Sequence, residues 1–471
     1  MIDDLARPDV ARPPETGSLR RGVALNVASL GIQGALRLGF TVSAARVLGP
    51  AGYADFGVAL AVSVLVAIVW PASAGSAVVK YVRIAWGGDR PADASAVLRH
   101  LLGRLVRFLA VVTPLLWAGS LLVSSGAALA WGLLLMSWGY SLQTFGRGVH
   151  LATGQLLREF VLQATCGVLA LSALAIIELR DDVGPGVVAL VYGGAMSLCG
   201  LLTWPRSAPA GGAAPPGVDR FVWLAAVGSL ASAGFVQLLV VAGKLRFDDH
   251  EAGVLSAAAN LASTLTLASA ATSMALYPRV SQLVGRADDA GVRRLRRSVF
   301  RQLVRYLFWA LAAFLVLAPT LVPLVLGEAY REAVEPLSVM ALAAVTTTVA
   351  APSVAVMTSG PNRSVARMSG AAWLGMAVGV AVWGLAWLGD LGGIGGVASG
   401  FALGTAVTAT AAIAWADRVT ADRLLPTWLL VLAALALLTS AQALAGRVGW
   451  GAPAYVLLAV SMGAWAISRR C

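Results

Sequence analysis

Leu105-Val106-Arg107-Phe108-Leu109 (LVRFL) returns as Leu303-Val304-Arg305-Tyr306-Leu307 (LVRYL), 198 residues further along the chain. Tyr81-Val82-Arg83 returns as Tyr277-Pro278-Arg279 and Gly57 as Gly253, each 196 residues later. A near-constant offset, set among hydrophobic spans in matching order, marks an internal duplication. Duplicated helical bundles in a membrane are the architecture of secondary transporters, which move one half against the other around a central site.

The surrounding composition agrees. Of 471 residues, 58% are hydrophobic and 12% charged, against about 25% charged in a soluble protein. About fourteen apolar spans can be drawn, each near the ~20 residues that cross a bilayer. Their cores are 22–44, 56–78, 104–123, 127–146, 159–178, 186–204, 221–243, 253–277, 303–326, 337–358, 366–388, 393–415, 427–445 and 451–468. The fold class is therefore an all-α polytopic membrane protein: two six-helix lobes related by the repeat, plus two C-terminal helices. The expected parts are a tail (1–21), a first lobe (22–204), a linker (205–220), a second lobe (221–418) and an added segment (419–471). The linker contains the Pro/Ala/Gly-rich run 205–216. Residues 1–21 are polar and lack a signal-peptide pattern, so the first span is expected to be retained as an anchor.

Loop charge gives an orientation. With the N-terminus inside, 28 of the 35 Lys and Arg fall on the cytoplasmic side. The outer side holds Arg46, Arg180, Lys244, Arg246, Arg331 and Arg447, and Arg37 lies within the first span. That asymmetry predicts a bacterial cytoplasmic membrane protein with both termini cytoplasmic. It also accounts for the formal charge of +12 without a nucleic-acid partner. Cys166, Cys199 and Cys471 form no metal-binding pattern, and His100, His150 and His250 are scattered at loops or loop edges. No metal or cofactor is expected. P-loop, HExxH, GxSxG and dinucleotide fingerprints are absent from the sequence, which leaves an ATP-driven pump or an enzyme unsupported.

Polar residues within spans carry the functional reading, because burying them in hydrocarbon is costly. Asn26, Gln33 and Arg37 are spaced i, i+7, i+11, one stripe of a helix. Arg37 either faces a central cavity or pairs with a neighbouring helix. Gln237 and Lys244 in the seventh span, and Asn260 in the eighth, are the further cavity candidates, with helix–helix bonding or outer-end snorkelling as the alternatives. Gln143, Gln155 and Gln163 mark the fourth and fifth spans. Residues 92–108 (with His100, Arg104 and Arg107 along one face) and 288–305 (Arg293, Arg297, Arg301 and Arg305) read as amphipathic helices. Each is expected to lie on the inner leaflet before turning into the third or ninth span, the second capped by Asp288 or Asp289. Arg104, Arg107, Arg147, Arg158, Arg301 and Arg305 are the candidate headgroup contacts at the inner mouth. Carboxylates such as Glu178, Asp181, Asp248 and Glu328 lie at the outer face, and none is read deep in a span. A positive cavity without an acid suits an anionic substrate.

At this point the residues resemble a family. Arg46 to Gly57 (RVLGPAGYADFG) resembles the first outer loop of the Wzx-type polysaccharide flippases, with Ala54 at a position that is usually glycine. EAGVLSAA (251–258), LVLGEAYREA (324–333) and GIGGVA (393–398) resemble later segments of the same family, in order, so the likeness covers about residues 20–418. The resemblance implies the fold of the multidrug/oligosaccharidyl-lipid/polysaccharide exporter superfamily, with two lobes forming a V around a cavity. It implies translocation of a lipid-linked oligosaccharide, on an undecaprenyl diphosphate-type carrier, between leaflets by alternating access. Polysaccharide-assembly enzymes and membrane lipids would be the partners. The alternatives are a multidrug exporter of the same superfamily, or a membrane glycosyltransferase or polymerase. The missing acid speaks against the first, and outer loops of about ten residues or fewer speak against the second.

Overall fold

The computed structural model describes residues 19–448, except 88–89, 123–125, 180–182, 205–213, 361, 389–392 and most of 268–287. The fourteenth expected span, the bulk of the N-terminal tail, the Pro/Ala/Gly-rich linker and Tyr277-Pro278-Arg279 lie outside the described residues. Among the described residues all regular structure is helical. In order along the chain, the helices are α1 (Leu19–Val69), α2 (Pro71–Gly87), α3 (Pro91–Leu122), α4 (Ala127–Thr153), α5 (Leu156–Glu178), α6 (Pro185–Leu202) and α7 (Val218–Arg246). They continue with α8 (Asp249–Leu265), α9 (Asp289–Leu326), a short 3-10 helix (Glu328–Ala333), α10 (Val334–Ser359), α11 (Asn362–Leu388), α12 (Gly393–Thr420) and α13 (Leu425–Val448). Nine described stretches are long and apolar enough to cross a membrane. The chain is a multi-pass membrane protein, and it divides into two compact units, residues 1–245 and 246–471.

In the first unit, α1 is two helices joined at Gly49, whose φ of 63° and ψ of 176° belong to a region open only to glycine. Pro50 follows at the position where a helix tolerates proline best. The stretch Arg46–Gly57, expected as an outer loop, is therefore helical on both sides of one glycine. A second interruption at Trp70 and Pro71 separates α1 from α2, as the proline predicts.

The first unit is most densely joined between α4 and α6, and glycine explains it. Gly132, Gly139 and Gly146 recur every seven residues on α4, and Gly186, Gly193 and Gly200 do so on α6. A Cβ added at any of the six would come within 2.5–2.8 Å of the opposite helix. Gly132 meets Ala189, Gly139 meets Met196, and Gly146 meets Thr203, so the helices run parallel. A seven-residue period keeps one face turned to its partner, and small residues let backbones approach where water supplies no drive between helices. The start of α7 packs with α2 and α3: Val218, Phe221 and Val222 share a core with Trp70, Val82, Leu98 and Leu105.

In the second unit, α11 and α12 use a different spacing. Gly375 and Gly379 face Gly404 and Gly400 respectively, two antiparallel small-xxx-small pairs. Trp383 then donates from Nε1 to the Val397 carbonyl at 2.7 Å. Phe300, Phe308, Leu315, Ile413 and Trp428 form the main core. Five helix pairings of the first unit recur in the second: α2–α4 as α8–α10, α3–α4 as α9–α10, α4–α5 as α10–α11, α4–α6 as α10–α12, and α5–α6 as α11–α12. The duplication read from LVRFL and LVRYL is thus also a duplication of packing.

The amphipathic segments differ from expectation. Residues 92–108 and 288–305 do not lie apart from the spans they precede; α3 and α9 run unbroken through both parts. With 38 residues, α9 is about 57 Å long, nearly twice the ~30 Å hydrocarbon core. A helix already nucleated gains one bond per residue added, so nothing in the sequence favours a break there. Asp288 is the N-cap of α9, its Oδ1 accepting from Gly291 N at 2.7 Å.

Candidate functional site

Arg37 lies one turn before Phe40 on α1, beside Tyr53, Tyr140 and Tyr192. Tyr140 and Tyr192 share a hydroxyl hydrogen bond of 2.7 Å, and the Phe40 and Tyr192 rings lie 4.3 Å apart. Nε and Nη2 of Arg37 are buried and have no hydrogen-bond partner in the structure. A guanidinium left in this state costs several kcal/mol unless an anion or a water-filled space meets it. The tyrosine ring faces and hydroxyls around it can take an aromatic or sugar-like group. Tyr53 and Phe56, both from the RVLGPAGYADFG segment, are fully buried. Part of that pattern therefore builds the wall beside Arg37.

The other sequence candidates do not all gather there. Side chains of Asn26 and Gln33 lie outside the described residues. Gln237 is buried on α7 and Asn260 is buried on α8, the latter in the second unit. Lys244 sits 2.8 Å from Asp55 Oδ1, an ion pair tying α7 to α1. Among the inner-mouth candidates, Arg104 pairs with Asp219 at 2.8 Å, where His100 also binds. Arg158 is buried and donates to the Leu202 carbonyl. Arg107, Arg301 and Arg305 are exposed, and Arg147 is half-buried near Glu159.

A second constellation lies at the turn between α4 and α5. His150 in the last turn of α4 and Glu159 in the first turn of α5 stand at helix ends, yet Glu159 is 2% exposed and His150 is fully buried, so the first unit holds a buried acid. Glu159 Oε2 lies 2.6 Å from His150 Nδ1. Its Oε1 accepts from Gln163 Nε2 at 2.9 Å, and Gln143 donates to Gln163 Oε1 at 2.6 Å. His150 Nε2 is buried without a partner. Gly154, in the left-handed region at φ 77°, closes α4 and sends α5 back beside it, which is how residues nine apart come to touch. The signal was present in the sequence as a His and a Glu flanking a glycine turn between two apolar runs. The glutamate's place at the very edge of the fifth span hid it.

No protein-family model matches the chain, and no curated protein matches it. Solved structures do. A multidrug resistance MATE family transporter of the MOP superfamily, in an inward-facing conformation, superposes with a TM-score of 0.65 at 13% identity over 84% of this chain and 98% of that one. The fold is that of the MATE transporters. The eukaryotic MATE transporter AtDTX14 gives 0.65 at 13% identity, over 88% of this chain and 98% of that one. A variant of the Vibrio cholerae MATE transporter VcmN gives 0.56 at 16%, over 86% and 99%. These matches take in nearly the whole of the solved chains and 84–88% of this one, so the MATE-like fold extends over both units.

Proposed function

We propose that the chain is a membrane exporter working by alternating access, its duplicated units rearranging to open a site to one face and then the other. Export of an amphiphile of the multidrug type is the better supported substrate class. The observation that carries it is the buried Glu159–His150 pair. An exporter coupled to an ion gradient needs a chargeable group shielded from water, and Glu159, buried at the start of α5, is our candidate for that group. The likeness in fold to proteins described as multidrug resistance transporters supports the same class. In proteoliposomes with an imposed pH gradient, wild type should move a lipophilic fluorescent dye, and Glu159→Gln should lose gradient-driven transport while keeping dye binding. Undiminished gradient-driven transport by Glu159→Gln would overturn the role given to this pair.

Arg37 supports a second reading, a flippase for a lipid-linked oligosaccharide. A diphosphate-linked sugar cannot cross hydrocarbon unaided, and an unpartnered guanidinium among tyrosines suits its headgroup. The outer-segment likeness at RVLGPAGYADFG supports the same class, as would coupling to polysaccharide-assembly enzymes in a bacterial cytoplasmic membrane. The deciding experiment locates lipid-linked oligosaccharides by leaflet in cells lacking the protein. Accumulation at the inner leaflet, rescued by wild type and not by Arg37→Ala, selects the flippase; normal export of every such glycan removes it.

A further inference from the structure

The first turns of α9 carry an electrostatic arrangement that the helix does not settle by itself. Val292, Arg296, Phe300, Val304 and Phe308 are buried, one every four residues. Beside this stripe and round to the outer face, Arg293, Arg294, Arg297 and Arg301, with Ser298 and Gln302, frame a concavity of about 570 Å³. Like charges three and four apart repel along a helix. Only part of the cost is met inside the fold: Arg297 pairs with Asp422, and Arg293 donates to the Thr420 carbonyl. Arg294 and Arg301 make no ion pair among the described residues.

A second observation sets the depth of this site. Tyr306 and Trp309, 69% and 51% exposed, follow Arg301 by five and eight residues on the same helix. Exposed Tyr and Trp at the end of an apolar span mark the membrane–water interface. Arg301 then lies ~8 Å beyond Tyr306 along the helix, at the depth of the lipid phosphates. Arg297, Arg294 and Arg293 follow over the next ~12 Å, their long side chains able to reach back toward that layer, and arginine is the side chain best matched to phosphate oxygens. Basic clusters just outside a span attract anionic lipid.

We propose that Arg293, Arg294, Arg297 and Arg301 form a binding site for the phosphate headgroup of an anionic phospholipid in the adjoining leaflet. The site does not depend on which substrate is exported. Because Arg297 also holds Asp422, a bound headgroup competes for that arginine and connects the lipid to the turn between α12 and α13.

The test uses the full chain in nanodiscs of phosphatidylcholine with phosphatidylglycerol, released and weighed by native mass spectrometry. Wild type should retain phosphatidylglycerol well beyond its share in the disc. Arg294→Gln/Arg301→Gln should retain about 25-fold less, about fivefold per arginine. Arg294→Lys/Arg301→Lys should keep most of the retention, and Arg331→Gln, at the distant Glu328 pair, should keep all of it. Wild type holding phosphatidylglycerol no better than phosphatidylcholine overturns the proposal without reference to any variant. So does equal retention by the glutamine pair, or displacement of the lipid by millimolar inorganic phosphate, which would make the ligand a free anion.

Discussion

Replacing Arg296 by methionine should destabilise the second unit severely. The Arg296 side chain is fully buried, yet it comes from a helix whose other arginines face outward. Nη2 donates to Asp417 Oδ1 at 2.8 Å and to the Ile413 carbonyl at 3.2 Å. Nη1 donates to Thr420 Oγ1 at 3.0 Å, and Nε to Ser353 Oγ at 3.1 Å. One guanidinium thus binds α9 to α10 and α12. Methionine fills a similar volume but leaves Asp417 with only the Leu425 amide, 2.8 Å from its other oxygen. Removing one partner of a buried pair costs about 3–5 kcal/mol, because the remaining charge is uncompensated. Removing both partners costs much less, so Arg296→Met/Asp417→Leu should recover about 2 kcal/mol of that loss. Equilibrium unfolding by a denaturing detergent in mixed micelles, followed by tryptophan fluorescence, reads both changes. A loss below about 1 kcal/mol for Arg296→Met, or a double variant no more stable than the single, would refute the reasoning.

Gly139→Ala should cost about 1–3 kcal/mol by overpacking, since its Cβ would meet Met196 backbone at 2.6 Å. Gly119→Ala, with nothing within 4 Å, should be neutral or stabilising by up to about 1 kcal/mol in the same assay. Burial pushes the Asp422 carboxyl up, but its bond from Arg297, the Arg423 amide and the charges of Arg297 and Arg296 outweigh this and hold it below its ordinary 3.8. A depressed carboxyl contributes stability above its unfolded pKa, lost as pH falls below about 4; Asp422→Asn should therefore be less stable than wild type at pH 6 and converge with it on acidification. Arg37→Met should raise the melting temperature, because Nε and Nη2 are buried without partners, while reducing transport of anionic substrates.

The repeat was enough to predict two helical bundles, because apolar span length and loop charge are imposed by the bilayer and survive without knowledge of packing. The helix-pair pattern of the second unit follows the first, as LVRYL follows LVRFL. Other features depend on contacts that no single span reports. Gly49 looked like the middle of a loop because LGP reads as a turn, yet its one backbone conformation suffices to join two helices. The seven-residue glycine spacing on α4 and α6 stands in the sequence, but only their adjacency gives it meaning. The site was legible in part: Arg37 stood out because an arginine within a span is costly. Glu159 did not, since an acid at a span's edge ordinarily meets water. Arg296 was concealed among five other arginines between 293 and 305, and only the four-residue rhythm of buried Val292, Phe300 and Val304 singles it out.

The glycine seam between α4 and α6 bears on how this protein changes shape. An interface of side chains can yield, since rotamers switch and neighbours refill the gap. A seam of bare backbone has nothing to switch, so its two helices separate or stay as they are. In the transport cycle proposed above, α4 and α6 should therefore travel as a single keel. Gly49 and the break at Trp70, where helices are already interrupted, are then the places where the first unit can flex, and Arg37 is carried on the segment just ahead of them.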